Sequence, residues 1–217
     1  MKLIFIHGWG FDASFWDDVL HSMPISDHSI HRWDLGFCGR RSTMAEFNAL
    51  EAGDNSVLIG HSLGFLHGLV HLPLVKGRIA INAFPFFVDK VDQKGCVSSA
   101  VLRDLRRRLS QDAAKALHSF YDFIKAIPPS LPPHEEMLRE GLEFLEAYDG
   151  RPLLEKALGP SLFLASCFDP LVPALVSQYM DRYGVLVMKE SDSHVLPQKE
   201  PAFCGDQIAR FLQKNFG

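Results

Sequence analysis

Short apolar runs punctuate the chain, each stopped by glycine, aspartate or a turn. They are Leu3–Ile6, Ser56–Ile59, Arg78–Ala83, Leu162–Ala165 and Val185–Met188, with a weaker run at Ser29–Trp33. They are largely continuous rather than alternating with polar residues, as strands of a sheet covered on both faces must be. Between the runs, Ser14–Ser22, Ser62–Leu72, Leu171–Tyr183 and Ala202–Phe216 read as helices. Strands that alternate with helices predict a parallel α/β sheet with right-handed crossovers.

From about Val91 to Leu158 the alternation stops. Leu102, Leu105 and Leu109 recur at helical spacing, as do Leu117, Phe120 and Ile124, and then Met137, Leu138, Leu142 and Leu145. The stretch Pro128-Pro129-Ser130-Leu131-Pro132-Pro133 separates two of these helices, because proline lacks an amide donor and fixes φ. The expected organisation is an α/β core over residues 1–88 and 159–217, with a helical cap inserted at 89–158.

Composition narrows the class. The chain has 217 residues, 47% of them hydrophobic and 22% charged, with a net charge of −4. That describes a globular domain large enough for a real core and gives no reason to expect nucleic-acid binding. The four cysteines, Cys38, Cys96, Cys167 and Cys204, are widely spaced and form no C-x-x-C pair, so reduced thiols are expected. The apolar run after Lys2 is too short for a signal peptide, and no stretch reaches the ~18 apolar residues of a membrane span. A cytoplasmic location without membrane contact is the expectation.

The chemistry is carried by Gly60-His61-Ser62-Leu63-Gly64, which follows a strand and opens a helix. This is a G-x-S-x-G turn in the setting such a turn requires: it presents the serine hydroxyl at the carboxyl end of the strand. Ser62 is therefore the expected nucleophile. The free amides at the start of the following helix favour negative charge, so the amide of Leu63 is one expected oxyanion donor. The second is expected from His7-Gly8-Trp9-Gly10 after the first strand, at the amide of Trp9. His7 is expected to brace that loop, Asp34 to stabilise a neighbouring one, and His61 to line the substrate pocket.

A serine hydroxyl needs a base at neutral pH, and histidine suits the task. Ten histidines are available, but order along the chain selects. Hydrolases with this turn run serine, acid, histidine, and only His194 follows the late strands. Asp169, in Phe168-Asp169-Pro170-Leu171-Val172-Pro173, is the expected orienting acid; Asp192 lies two residues from His194 and is the rival. No metal or organic cofactor is implied.

These motifs together resemble the α/β-hydrolase superfamily. Within it the chain is similar to the pimeloyl-acyl-carrier-protein methyl ester esterases of biotin synthesis. That likeness extends through Arg108-Leu109-Ser110-Gln111-Asp112, Glu140-Gly141-Leu142-Glu143-Phe144-Leu145 and Pro201-Ala202-Phe203-Cys204. The resemblance implies the α/β-hydrolase fold with about six mainly parallel strands, since the first strand begins at Lys2. It implies a serine carboxylesterase acting on short to medium acyl esters through an acyl-serine intermediate, with an acyl-carrier protein as partner. His61 stands where these esterases commonly have tryptophan, and Phe65 where a third glycine is common.

Substrate contacts are expected from the insertion. Phe84, Phe120 and Phe123, with Phe86 and Phe87 nearby, can supply an apolar wall. A basic run holds Arg103, Arg106, Arg107 and Arg108, with Lys115 further on. A solvated helix face is its ordinary role. The resemblance implies a sharper one, in which Arg103, Arg106, Arg107 and Lys115 meet an acidic carrier. Other readings of the same motifs are thioester hydrolysis, carbon–carbon bond hydrolysis or a lyase step, and a binding protein without catalysis; the last would lack a triad member, and none is missing here.

Overall fold

The computed structural model describes residues 1–24, 28–43, 45–46 and 55–217. Six strands form one sheet in the order β2-β1-β3-β4-β5-β6. They are β1 (Lys2–Ile6), β2 (Ser29–Trp33), β3 (Ser56–His61), β4 (Gly77–Ile81), β5 (Ser161–Ser166) and β6 (Val185–Lys189). Every pairing is parallel, as the continuous apolar runs require. β3, β4 and β5 are buried at every position. β2 and β6 are edge strands and keep exposed or half-exposed positions, which is why the Ser29–Trp33 run reads weakly. Order reverses at β1: one connection leads to β2 and the next returns to β3 on its other side. Sheets of this kind open a crevice at that reversal, outside the carboxyl ends of the strands.

The expected helices form, two of them shorter than the sequence suggests. Ser14–Ser22 begins as a 3₁₀ turn, Ala13–Trp16, before α1 (Asp17–Ser22). α2 (Leu63–His71) follows β3 directly. Four helices stand between β4 and β5: α3 (Ser99–Gln111), α4 (Ala113–Ile124), α5 (Glu135–Ala147) and α6 (Arg151–Glu155). Ser98 caps α3 and Asp112 caps α4. The apolar positions that gave the helical spacing face inward, among them Leu102, Leu109, Leu117, Ile124, Leu138, Leu142 and Leu145. After β5, α7 spans only Ala174–Tyr179. Pro173 sets its start, and the amides of Leu171 and Val172 donate to Asp169 instead of entering a helix. α8 (Leu196–Lys199) and α9 (Pro201–Phe216) close the chain.

The helices between β4 and β5 are tied to the loop after β1. The Trp9 indole Nε1 donates to the carbonyl of Leu138 at 2.8 Å, and the Tyr121 hydroxyl donates to the carbonyl of Gly10. The proline-rich segment between α4 and α5 is held to the core as well: the Gln198 amide exchanges two hydrogen bonds with the backbone of Ile127, and Lys125 pairs with Asp192. Among the described residues no helix is long and apolar enough to cross a membrane.

α2 lies so close to β1 that its first turn has no room for a side chain at Gly64. A Cβ there would stand 2.3 Å from the carbonyl oxygen of Ile6, a backbone atom that cannot move aside cheaply. Gly64→Ala should therefore lower the unfolding free energy by about 1–3 kcal/mol or more, measured by urea denaturation. A change within about 0.5 kcal/mol, typical of surface substitutions, would contradict this packing.

Candidate active site

The turn at Ser62 is forced. Ser62 has φ 51 and ψ −124, a conformation costly for a residue with a side chain. Its amide donates to the carbonyl of Ile81 at 3.1 Å, which pins the turn to the end of β4. Gly60 permits the turn because a Cβ would lie 2.4 Å from the Cα of Phe65. Leu63 then begins α2, so its amide has no carbonyl within the helix to bond.

The loop after β1 rests on this turn. A Cβ on Gly8 would lie 2.7 Å from His61 Nδ1 and 3.2 Å from the Cβ of Ser62. Gly10, with φ +81, completes a tight turn through Trp9. His7 braces it: Nδ1 bonds the Gly8 carbonyl at 2.9 Å, and Nε2 accepts from the amide of Leu35 at 3.0 Å. Asp34 accepts from the amides of Ala13 and Gly36, which stabilises the adjoining loop.

Three side chains that the sequence places far apart form one chain of contacts. His194 Nε2 lies 3.1 Å from Ser62 Oγ. His194 Nδ1 lies 2.9 Å from Asp169 Oδ2. The side chains of His194 and Asp169 are both 1% exposed. Asp169 Oδ1 is occupied by the amides of Leu171 and Val172, so the carboxylate is fixed before it meets the imidazole. Asp192 stands apart, exposed and paired with Lys125.

An apolar cavity of about 360 Å³ lies under helices α3 and α4 and extends to the segment that follows Asp169. Its wall includes Phe87, Val97, Leu102, Leu105, Phe120 and Phe123, and it reaches Pro170 and Leu171 beside Asp169. Phe120 packs edge-on to Trp9, with ring centres 5.0 Å apart, which carries the wall to the β1 loop. Cys96 also lines it; burial, and then the charge of Asp169, push its thiol well above the ordinary range, so it is neutral.

Not every expected contact falls here. Phe84 is wholly buried behind the cavity, packed on Phe87, because the chain turns it into the core as it leaves β4. Phe86 is buried against Tyr179 and the guanidinium of Arg151. His61 does not line the cavity either. It is fully buried, and its Nε2 donates to the carbonyl of His194 at 3.0 Å. Burial, and then the nearby His194, hold His61 well below the usual histidine range, so its ring is neutral.

The basic residues divide. Arg107, Arg108 and Lys115 line a second cleft of about 410 Å³, and Arg108 lines the apolar cavity as well. Arg106 turns inward to Glu146 on α5 at 2.6 Å and holds two helices together. Arg103 is exposed and lines neither space. Arg108 is the one basic residue of the run that lines both spaces. Helical periodicity places Arg108 three residues after Leu105, on the face that lines the cavity, and that spacing is the signal for it in the sequence. Among the described residues, no three His, Cys, Asp or Glu side chains gather as metal ligands would.

The family model described as the alpha/beta hydrolase family matches residues 3–206. The chain belongs to that family. Within the alpha/beta hydrolases it is 29% identical over 201 residues to a pimeloyl-[acyl-carrier protein] methyl ester esterase of Legionella pneumophila (strain Corby), covering 84% of this chain and 81% of that one. It is 26% identical to the esterase of the same name from Citrobacter koseri, covering 89% and 84%. An esterase structure from Exiguobacterium antarcticum superposes with a TM-score of 0.86 over 98% of this chain and 92% of that one. At 16% identity that likeness is one of fold.

A half-buried histidine on α2, His67, gives this alpha/beta hydrolase a measurable acid sensitivity. Burial, helped by the neighbouring His71 and Arg41, pulls His67 on α2 down to about 3. A group whose pKa falls on folding supplies stability that is complete above its unfolded value and lost as pH drops toward its folded one. The window here runs from about 6.5 downward, with a slope of up to about 1.4 kcal/mol per pH unit. His67→Phe should reduce the loss of stability between pH 7 and pH 5, measured by urea denaturation. An unchanged slope would contradict the assignment.

Proposed function

We propose that the protein is a serine carboxylesterase that cleaves short to medium acyl esters through an acyl-serine intermediate. The observation that carries this reading is the contact chain Ser62 Oγ–His194 Nε2–His194 Nδ1–Asp169, with steps of 3.1 and 2.9 Å. His194 takes the Ser62 proton as Oγ attacks the ester carbonyl. The oxygen that becomes negative is held by the amides of Leu63 and Trp9. Collapse breaks the bond to the alcohol, which leaves with the proton from His194, and the acyl group stays on Ser62. Water then attacks with His194 again as base, the acid departs, and Ser62 regains its proton. Asp169 holds the imidazole in the tautomer this needs and stabilises its charged form. The reaction as written uses no metal or cofactor.

The substrate we assign is a pimeloyl methyl ester carried on an acyl-carrier protein, in biotin synthesis and in the cytoplasm. The names of the similar esterases support it. So does the join between the apolar cavity and the basic cleft at Arg108: an acyl chain lies in the first while an acidic carrier meets Arg107, Arg108 and Lys115 at the second. Helices α3 to α6 serve as the cap over the site. Arg106 is held by Glu146 with its side chain 26% exposed, whereas Arg107 and Arg108 pair with Asp104 at the surface, 63% and 45% exposed, where a carrier carboxylate can compete for them.

Two measurements test this. Asp169→Asn should lower kcat by on the order of 10⁴, because the imidazole is left in the wrong tautomer, while Asp192→Asn changes little; the reverse ranking would overturn the choice of acid. The carrier-bound ester should be hydrolysed at least ~10-fold faster, in kcat/KM, than a free ester of equal chain length at low salt, with the advantage shrinking at high salt. Arg107→Glu/Lys115→Glu should remove the advantage and spare the free ester. No carrier advantage at low salt would leave a small-ester hydrolase and reject the carrier.

A further inference from the structure

We propose that Asn82 and His61 are positioning residues for the base, holding the backbone of His194 so that its ring bridges Ser62 and Asp169. The proposal rests on the reading of His194 as base. His194 sits on a loop after the edge strand β6, not within a regular element. Its direct contacts to Ser62 and Asp169 constrain the ring. The backbone that carries the ring is held by something else.

The carbonyl of His194 receives two donors from two different strand ends. Asn82 Nδ2 reaches it at 2.8 Å, and reaches the carbonyl of Ser193 at 2.8 Å as well. His61 Nε2 reaches it at 3.0 Å. The orientation of the Asn82 amide is fixed, because its Oδ1 accepts from the amide of Ser166 at 2.9 Å; the NH₂ group must then face the two loop carbonyls. The Ser166 hydroxyl completes the set by donating to the Ser193 carbonyl at 2.6 Å. Asn82, His61, Ser166, Ser193 and His194 are all buried, so these bonds form away from solvent, and each missing donor would leave a buried carbonyl with one of its two hydrogen bonds lost and no water to replace it.

The residue types fit the task. Asn82 has φ 43, which asparagine tolerates better than most residues with a side chain, and its own amide stays in register, donating to Leu164 at 2.8 Å. His61 immediately precedes Ser62, so the turn that presents the nucleophile also fixes the backbone of the base. Its Nε2 carries the proton, and Nδ1 has no hydrogen-bond partner. A neutral ring there adds no charge opposing the imidazolium that His194 forms during each step. The alignment of nucleophile and base thus has a second link, independent of the bond between Oγ and Nε2.

The test uses Asn82→Asp, Asn82→Gly, His61→Phe and His61→Gln in the full-length protein, assayed on a p-nitrophenyl ester, with circular dichroism as the measure of folded protein. Asn82→Asp keeps the acceptor for Ser166 and removes the donors; Asn82→Gly keeps the backbone conformation and removes the side chain. His61→Phe fills the space without a donor, and His61→Gln restores one. Expected is a fall of about 10²-fold in kcat for the Asn82 variants and His61→Phe, with KM within about twofold, since small misplacement of a catalytic group costs this much. His61→Gln should recover most of the loss. The downfield proton resonance of His194 Nδ1–H should broaden or vanish in His61→Phe and persist in His61→Gln. Folded variants with wild-type kcat and an unchanged resonance, or with altered KM alone, would overturn the proposal. If an Asn82 variant does not fold, the His61 pair decides. Hydrolysis surviving in Ser62→Ala would instead reject the triad itself, so the two failures are distinct.

Discussion

The turn at Ser62 is the constraint from which the rest of the structure follows. A residue with a side chain is held at φ 51, at a cost on the order of 1–3 kcal/mol, and it persists because its surroundings leave no alternative. Gly60 lets the chain pass the backbone of Phe65, Gly64 lets α2 meet the carbonyl of Ile6, and the Ser62 amide is bound to Ile81. One bend therefore achieves three things. It projects the hydroxyl beyond the sheet, it starts α2 so that the Leu63 amide has no helical partner, and it brings His61 under the loop that carries His194.

Around that bend the site is assembled from the ends of separate strands: the β1 loop gives Gly8 and Trp9, β5 leads to Asp169, and β6 leads to His194. Such a site works only if the loops are as firmly placed as the strands. The buried polar groups supply that firmness, since each carbonyl of Ser193 and His194 meets donors rather than solvent. The insertion adds restraint from the other side through Trp9 to Leu138 and Tyr121 to Gly10, and lends the wall of an apolar cavity beside Asp169.

Much of this was legible in the sequence. Central strands covered on both faces must be apolar throughout, so β3, β4 and β5 announce themselves. The nucleophile turn has a local signature, and the order of serine, acid and histidine then selects Asp169 and His194. What escaped depends on contacts that no local pattern encodes. Whether Phe84 or Phe87 faces the cavity is set by how the chain twists as it leaves β4. Arg106 looks like its neighbours in the basic run, yet Glu146, 40 residues away, claims it. Asn82 reads as the end of a strand; its partners Ser166 and Ser193 lie 84 and 111 residues further on. His61 reads as a pocket residue because it occupies the variable position before Ser62 in the motif, but its ring is buried and bonds the His194 carbonyl.

The proposed chemistry depends on Ser62 being a nucleophile that forms a covalent intermediate, and covalent labelling addresses that most directly. Treatment with a fluorophosphonate ester, followed by peptide mass mapping, should place a single label on Ser62, with hydrolytic activity lost in step with labelling. His194→Ala, lacking the base, should label far more slowly. A label on another residue, or full turnover by protein whose Ser62 is completely modified, would contradict the account.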